Sequence, residues 1–424
     1  MPMTVERNKG CNAIDHDLSR RGFMGGGLMA GAMAGFGNLL SPAMAAKMKG
    51  RQKQILQVYL QGGVSQFESW DPKPGTTYGG PFRAIPTSVP GTQICELMPH
   101  TAKKMHLLSI VRSINLRTND HNQGMLFMEK GRPAGTYPYV GSVASKYLSQ
   151  PDNPLPGFVH ITTRGLSGET AGFLEAQHAQ MRLEGVNPPK HLGLPEGVSE
   201  DLALRSENLR LQLNQQFKTG RSRSLIDSYD TSFDQARQLI KRTHLFGDQD
   251  EKELDRYGRH WFGRRCLLAR TLLEEGVTCV KVTHHGYDTH AENFNFHVEQ
   301  LDEFDKTFAT LLGDIEERGM LDNVLVIVYS EFGRTPKINH KFGRDHWGAS
   351  LSVAMGGCGI QSGGVVGSTN ADGTAVKERE VDGGHLFHTY LQAVGIDSQQ
   401  NHDIDGRAIP IGDPVTEPIK ELLS

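Results

Sequence analysis

The stretch VLVIVYSEFGRTPKINHKFGRDHWG, residues 324 to 348, decides how the rest of the chain is interpreted. It begins with an apolar, β-branched run that ends at Tyr329, and a short run of this kind, bounded by polar residues and glycine, is typical of a buried strand in an α/β sheet. Glu331 follows directly, and Arg334 and the pair Asp345-His346 lie on the next loop. Because ligands of open α/β sheets bind beyond the carboxyl ends of the strands, these side chains stand where chemistry is expected.

A second predicted strand, earlier in the chain, has similar residues at its end. TCVKV, residues 278 to 282, is followed by HHGYDTH, which places Asp288 and His290 on a loop. A third pair, Asp120-His121, follows the predicted strand HLLSIVRSI at residues 106 to 114. One such pair carries little weight, because a lone histidine on a loop is more often a surface residue. Three pairs and a glutamate, all at predicted strand ends, favour a shared site.

Carboxylates and imidazoles that converge from several loops are the ligand types of a bound metal ion. A mixture of the two favours zinc or manganese over an all-oxygen calcium site. Two ions a few ångström apart would clamp a tetrahedral phosphate or sulfate ester and activate an attacking oxygen. The sequence therefore predicts a divalent metal site of one or two ions. Arg334 and Arg344 are predicted to pair with ester oxygens, and the alternative for Arg334 is a structural ion pair with Glu331.

Composition and charge narrow the classes of function. The chain has 424 residues, of which 22% are charged and 37% hydrophobic, with a net charge of -3. This balance is that of an ordinary globular protein, and no basic patch interleaved with aromatic residues predicts a nucleic-acid partner. The five cysteines show no CxxC spacing, and Cys266, Cys279 and Cys358 are interpreted as small core residues. A disulfide stays an open alternative if the protein is exported.

The order of predicted elements indicates the fold class. Predicted strands at 54–60, 106–114, 157–163, 278–282, 324–329 and 350–357 alternate with helical patterns, which include 296–318 and 383–394. This alternation predicts an α/β sandwich of three layers with a mostly parallel central sheet. Residues 199–275 are predicted to be a helical insertion or a layer that covers the sheet.

The N-terminal residues match an export signal. Ser19-Arg20-Arg21-Gly22-Phe23 fits the twin-arginine pattern, a weakly apolar segment follows, and Ala43-Met44-Ala45 is a small-residue cleavage site. The prediction is a leader over residues 1–45, a mature chain over 46–424, the twin-arginine export machinery as a partner, and a periplasmic or extracellular location. An interfacial helix or an uncleaved anchor is the alternative. No later apolar run is long enough to span a bilayer.

Several segments together carry a resemblance to a known family. The twin-arginine leader, LQGGVSQFESWDPKPG, GYDTH, SEFGRTP, GRDHW and the final GRAIP resemble the bacterial family called domain of unknown function 1501. That family is placed with the sulfatases in the alkaline-phosphatase-like superfamily. The resemblance implies a sulfatase-like α/β fold and a metal-assisted hydrolase of phosphate or sulfate esters, with a small molecule or a polysaccharide as the substrate.

The resemblance also implies roles for individual residues. Asp288 and His290 resemble the aspartate and histidine ligands of one metal, and His346 resembles the later histidine of that site. Glu331 stands where the superfamily has an aspartate of a second metal. HNQGMLFMEKGRP is similar to the sulfatase nucleophile segment, and it places His121 at the nucleophile position, where no cysteine, serine or threonine stands. The roles of ligand, nucleophile and base all stay open for His121, and the second metal is either absent or remodelled.

The leading hypothesis is an exported metal-dependent ester hydrolase with His121 and Arg334 as catalytic residues. The predicted metal ligands are Asp288, His290, Glu331, Asp345 and His346. A non-catalytic exported protein that keeps the fold for binding or envelope assembly is the main rival, and a transferase or mutase with the same metals is a third option.

Overall fold

A computed structural model describes residues 52–150, 153–163, 170–187, 197–218, 223–240, 242–247 and 249–424. The predicted leader, residues 1–45, and its cleavage site lie outside the described residues. Within the described ranges, no helix combines the length and the apolar character needed to cross a membrane.

Within the described residues, the centre of the fold is an eight-stranded sheet. Its strands are β1 (Gln54–Leu60), β4 (Leu108–Ile114), β5 (Phe158–Thr162), β6 (Met181–Glu184), β7 (Cys279–His284), β8 (Val324–Tyr329), β11 (Leu351–Gly357) and β12 (Val365–Val366). They lie side by side in the order β12-β4-β11-β8-β1-β7-β5-β6. Strand β11 is antiparallel to both of its neighbours, and the other neighbouring pairs are parallel. The mostly parallel sheet of the sequence prediction is therefore confirmed.

In the part of the chain that the structure describes, four two-stranded ladders lie outside the central sheet. They are formed by β2 (Ala84–Pro86) with β3 (Gln93–Cys95), β9 (Gly333–Arg334) with β10 (His346–Trp347), β13 (Ser368–Thr369) with β14 (Val376–Glu378), and β15 (Asn401–Ile404) with β16 (Arg407–Pro410). The pairing of β9 with β10 closes the loop that carries most of the predicted site residues.

Helices cover both faces of the sheet. They are α1 (Pro99–Lys103), α2 (His121–Lys130), α3 (Val140–Leu148), α4 (Glu200–Lys218), α5 (Arg223–Ile240), α6 (Glu251–Tyr257), α7 (Trp261–Glu274), α8 (Asn293–Glu317) and α9 (Gly383–Ala393). Leu56 and Val58 of β1 belong to the core shared with α7 and α8, whereas Ile55 and Tyr59 belong to the core shared with α3 and α9. Because helices cover both faces, every residue of β1 is buried. A strand in this position has apolar residues next to each other in its sequence, as at Ile55-Leu56.

The helices agree with the sequence patterns except on exposed faces. In α8, which was predicted over 296–318, Leu301, Phe304 and Phe308 are buried, whereas Val298 is 45% exposed. Residues predicted as helical between 199 and 275 form α4 to α7. Helix α7 covers the sheet, whereas α4 has no buried residue and packs on α5 through ion pairs such as Arg210 with Asp230. The described cysteines are buried and unbridged, which confirms their interpretation as core residues.

Candidate metal centre

The direction of the strands brings the predicted site loops to one edge of the sheet. Strands β4, β7 and β8 run the same way, so their carboxyl ends lie at a common edge. His121 follows β4, Asp288 and His290 follow β7, and Glu331 follows β8. Strand β11 runs the opposite way, so it begins at this same edge, directly after the loop that carries His346.

Three histidines surround one aspartate at this edge. Asp288 Oδ1 lies 3.0 Å from His346 Nε2 and 3.2 Å from His290 Nε2, and Asp288 Oδ2 lies 3.4 Å from His121 Nε2. The Nε2 atoms of His290 and His346 are 2.9 Å apart. Every imidazole of the group therefore presents the same nitrogen to a common point beside the carboxylate.

The other nitrogen of each ring is held by an oxygen. His121 Nδ1 lies 2.7 Å from Glu331 Oε1, His290 Nδ1 lies 2.7 Å from Asp345 Oδ1, and His346 Nδ1 lies 2.8 Å from the carbonyl oxygen of Asn119. A carboxylate or carbonyl that accepts from Nδ1 fixes the tautomer with a free Nε2 lone pair, and it is the usual partner of a metal-ligating histidine.

Glu331 is buried behind His121, and its carboxylate contacts neighbouring hydrogen-bonding groups of the protein. The residue is 1% exposed, and Oε1 also accepts from the amide of Gly62 at 2.9 Å. Its second oxygen, Oε2, lies 3.0 Å from the hydroxyl oxygen of Ser330. Glu331 therefore orients His121 and does not face the common point itself.

Arg334 is buried beneath the aspartate. Its Nη2 donates to Asp288 Oδ1 at 2.7 Å and to the carbonyl of Gly62, its Nε donates to the carbonyl of Gly63 at 2.8 Å, and its Nη1 donates to the carbonyl of Arg344 at 3.0 Å. Four of the five N–H groups of the guanidinium thus have acceptors within the protein. The ion pair of Arg334 is with Asp288, whereas the sequence interpretation considered a pair with Glu331.

The electrostatics hold the carboxylates of the cluster in their charged form. Burial raises the pKa of the Asp288 carboxyl group, but the hydrogen bond from Arg334 and the neighbouring imidazole of His346 outweigh burial and lower the pKa to about 2. The hydrogen bond from His290 lowers the pKa of Asp345. The hydrogen bond to Glu331 raises the pKa of His121. Asp288 is consequently an anion at neutral pH, and its side chain is half exposed to solvent.

The spacing of these donor atoms fits a transition-metal ion. In a tetrahedral site with metal–ligand distances of about 2.0–2.1 Å, ligand atoms lie roughly 3.3 Å apart. Here the Asp288 oxygens lie 3.0 to 3.4 Å from the three Nε2 atoms, and the Nε2 atoms of His290 and His346 lie 2.9 Å apart. His121, Asp288 and His346 each offer a ligand atom within 4.8 Å of the others. His290 lies outside this group of three, although its Nε2 is 3.2 Å from Asp288 Oδ1 and 2.9 Å from His346 Nε2. Imidazole with one carboxylate is a donor set that suits zinc or manganese.

Two residues singled out in the sequence lie outside this centre. Asp120 caps helix α2, because its side chain accepts from the amide of Gln123 at 2.9 Å. Arg344 was expected near ester oxygens, but it is completely buried and pairs with Glu68 at 2.9 Å, so that expectation was wrong. A buried guanidinium with a fully buried carboxylate partner stabilises the loop and does not reach solvent.

Sequence reasoning did not identify the backbone groups that complete the site. The carbonyl of Asn119 holds His346, and the amide of Gly62 holds Glu331. Gly62 has φ +118°, and a Cβ atom there would lie 2.5 Å from the amide nitrogen of Asp288. The pair Gly62-Gly63 after the first strand was the available signal, because glycine permits this backbone conformation and this close approach.

This chain is similar to several solved structures and matches one protein family. Solved structures of similar arrangement include the sulfatase PsFucS1 from Pseudoalteromonas sp., with 14% identity over 83% of this chain and 71% of that chain and a TM-score of 0.37. A protein in the alkaline phosphatase superfamily from Vibrio parahaemolyticus shows 10% identity over 88% and 71%, with a TM-score of 0.39. The alkaline phosphatase from the Antarctic bacterium TAB5 shows 12% identity over 81% and 98%, with a TM-score of 0.33.

The search of curated proteins found no match. The comparison with protein families matches residues 52–423, nearly the whole described chain, to a family that is described as protein of unknown function, DUF1501. The match agrees with the resemblance found in the sequence motifs. The chain belongs to the DUF1501 family.

Proposed function

We propose that this protein is an exported, metal-dependent hydrolase of phosphate or sulfate esters. The observation that carries the proposal is the set of three imidazoles that turn Nε2 toward Asp288 while oxygens hold each Nδ1. Histidines of a surface cluster that binds no ligand are not expected to share one ring orientation. The superfamily resemblance of the sequence motifs supplies the ester chemistry.

The proposed ligands differ from the sequence prediction in two respects. His121, Asp288, His290 and His346 bind the ion directly, so His121 is a ligand and neither a nucleophile nor a base. Glu331 and Asp345, which were predicted as ligands, act behind the histidines, because each accepts from an imidazole Nδ1. Such outer partners fix the ring orientation and raise the basicity of the ligand.

The bound ion, Arg334 and Ser330 have different roles in the proposed ester hydrolysis. A bound divalent ion would polarise an ester oxygen and lower the pKa of a water molecule, which then serves as the attacking group. Arg334 holds Asp288 in place and so takes a positioning role, whereas the sequence predicted that it orients the anion. Ser330 lies nearby, but its hydroxyl donates to the carbonyl of Leu60 at 2.5 Å and accepts from the amides of Gly63 and Val64. This buried hydroxyl is committed to the backbone, which favours water as the nucleophile.

Metal analysis of the purified protein tests the centre directly. We expect one equivalent of zinc or manganese in the wild-type protein and a loss of most of it in His290→Ala and in His346→Ala. His340→Ala is the matched control, because His340 is an exposed histidine of the same loop that lies outside the cluster. Unchanged metal content in both cluster variants would show that the histidines are not ligands.

A panel of aryl phosphates, aryl sulfates and phosphodiesters tests the reaction. Turnover that disappears with the metal supports the hydrolase. A metal-loaded protein that hydrolyses none of these esters favours the non-catalytic rival, in which the fold serves binding or envelope assembly. Transfer of the phosphoryl or sulfuryl group to added alcohols, in preference to water, identifies a transferase.

The export proposal needs a separate test. It depends on the leader residues Arg20 and Arg21, and the twin-arginine route requires both. Replacement of both by lysine should leave the precursor in the cytoplasm at its full length, whereas the wild-type chain should be shortened near residue 45 and recovered from the periplasm or the medium. Normal export of the variant would exclude this route.

A further inference from the structure

A second surface site lies at the amino end of helix α7. A cavity of about 400 Å³ is lined by Arg259, His260, Trp261 and Arg264. The indole of Trp261 is 64% exposed, although tryptophan is among the residues that a soluble protein most often covers. An exposed aromatic ring beside guanidinium groups is a surface suited to ligand binding.

The topology places this cavity at the edge of the sheet that holds the metal centre. Helix α7 precedes β7 and runs back along it, so the amino end of α7 lies near the carboxyl end of β7. The guanidinium of Arg265 donates to the carbonyl of Thr283 at 3.1 Å, and the ring of Phe262 lies 4.4 Å from that of His284. His284 ends β7 and begins the loop that carries Asp288.

A charged contact joins the cavity to the same loop. Glu303 of α8 lies 3.5 Å from His284 and 3.5 Å from His260. On its other side Trp261 approaches Gly185, the residue after β6, since a Cβ atom built there would lie 3.9 Å from the indole. Strands β6 and β7 are two strand spacings apart in the sheet, roughly 10 Å. The cavity and the loop that carries Asp288 therefore lie at the same edge of the sheet.

The chemistry of the cavity defines the ligand. A flat, exposed indole offers an apolar face against which a sugar ring can stack. Arg264 supplies the cation: its Nε donates to the carbonyl of Arg259 at 3.4 Å, and among the described residues no carboxylate forms an ion pair with it. Arg259 is less available, because it pairs with Glu251 and Asp255. A guanidinium of this kind binds sulfate, phosphate or carboxylate groups.

We infer that Trp261 and Arg264 form an accessory subsite for an anionic polysaccharide, with the sugar ring on the indole and its charged substituent on the guanidinium. The inference rests on the proposed function for the reaction at the neighbouring centre, but the binding itself is independent of that reaction. An ester group of one sugar unit is presented to the metal centre while a neighbouring unit occupies the subsite.

Binding of dextran sulfate to the full mature protein tests the inference. We expect Trp261→Ala to weaken binding by about tenfold, which corresponds to about 1.4 kcal/mol. Trp261→Phe should retain most of the affinity because it keeps a ring. Tyr229→Ala is the matched control, since Tyr229 is 57% exposed on α5. Neutral dextran and polyglutamate serve as probes that have only the sugar rings or only the negative charge.

The outcomes separate the subsite from the reaction. Selective loss of dextran sulfate affinity in Trp261→Ala, with unchanged turnover of small aryl esters, supports the subsite. Affinity that is unchanged in Trp261→Ala, or polyglutamate binding that is equally strong and equally sensitive to the substitution, overturns it. A wild-type protein that sediments as a dimer and a Trp261→Ala variant that sediments as a monomer would identify a self-association surface instead. A protein that hydrolyses no ester but still binds dextran sulfate through Trp261 refutes the proposed function and leaves the subsite standing.

Discussion

A fully buried ion pair joins helix α2, which begins with His121, to strand β7, which leads to Asp288. Lys281 Nζ lies 2.5 Å from Glu129 Oε1, and the hydroxyl of Tyr329 donates to the same oxygen. The side chains of Lys281 and Glu129 are 1% and 0% exposed. Replacement of Lys281 by methionine keeps the length of the side chain and removes the charge, which leaves a buried carboxylate without its cation.

The size of the effect follows from the two ways in which the carboxylate can respond. Removal of one partner of a buried ion pair typically costs about 3–5 kcal/mol. The carboxylate avoids this cost if it takes up a proton. For an ordinary glutamate with a pKa near 4.3, protonation at pH 7 requires about 3.7 kcal/mol. We therefore expect Lys281→Met to lower the free energy of unfolding by about 3–4 kcal/mol at pH 7.

The loss should depend on pH in a definite direction. At pH 5 the same protonation requires only about 1 kcal/mol. A carboxyl group that is protonated in the folded state and ionised in the unfolded state makes folding less favourable as the pH rises. The difference between wild type and variant should accordingly shrink from about 3–4 kcal/mol at pH 7 to about 1 kcal/mol at pH 5.

Urea unfolding at pH 7, 6 and 5 measures these differences, provided that the slope with urea is unchanged. The double variant Lys281→Met, Glu129→Leu removes both charges and should recover most of the stability, because apolar residues of similar volume often replace a buried pair without loss. Lys377→Met is the matched control at a lysine whose side chain is 64% exposed. A loss below about 1 kcal/mol at pH 7, or one that does not shrink toward pH 5, would refute the reasoning.

Two further predictions concern single residues elsewhere in the fold. Glu331→Gln should weaken metal binding by about 10- to 100-fold, as outer-shell changes do, in a chelator competition in which Glu417→Gln, an exposed change, has no effect. Burial lowers the pKa of His178 and of His402 to about 4. Because the unfolded chain takes up these protons near pH 6.5 and the folded chain does not, the free energy of unfolding should fall by about 1–2 kcal/mol per histidine between pH 6.5 and 5. Urea unfolding of His402→Gln should show a flatter pH profile, and an identical profile would contradict this assignment.

The buried strands could be predicted because their sequences are apolar at successive positions. The predicted bounds of β1 and β8 agree with the observed strands Gln54–Leu60 and Val324–Tyr329. Both lie in the middle of the sheet with helices on each side, so burial leaves no polar face to obscure the pattern. Strand β6 was not predicted, because it lies at the edge of the sheet and two of its four residues are exposed.

The candidate site could be predicted as a set of residues but not as a set of roles. Each residue in that set lies at the common edge of the sheet, as their positions after predicted strands implied. The sequence does not show which imidazole nitrogen faces the centre. The orientation of the ring decides whether a nearby carboxylate is placed as a metal ligand or as the hydrogen-bond acceptor of the imidazole. Glu331 was predicted as a ligand from its position at a strand end, yet its carboxylate is directed toward the backbone of Gly62 and the ring of His121.

The reversal of one strand explains how a single loop supplies four residues of the centre. Strand β8 ends at Tyr329, and β11, which begins at Leu351, is antiparallel to it. The chain between them therefore starts and finishes at the same edge, whereas a parallel neighbour would require a crossover that carries the chain to the opposite edge. Pairing of β9 with β10 then folds the loop on itself, with residue 334 opposite residue 346. An apolar run has the same pattern in either direction, so the reversal on which the centre depends is decided by packing and not by local sequence.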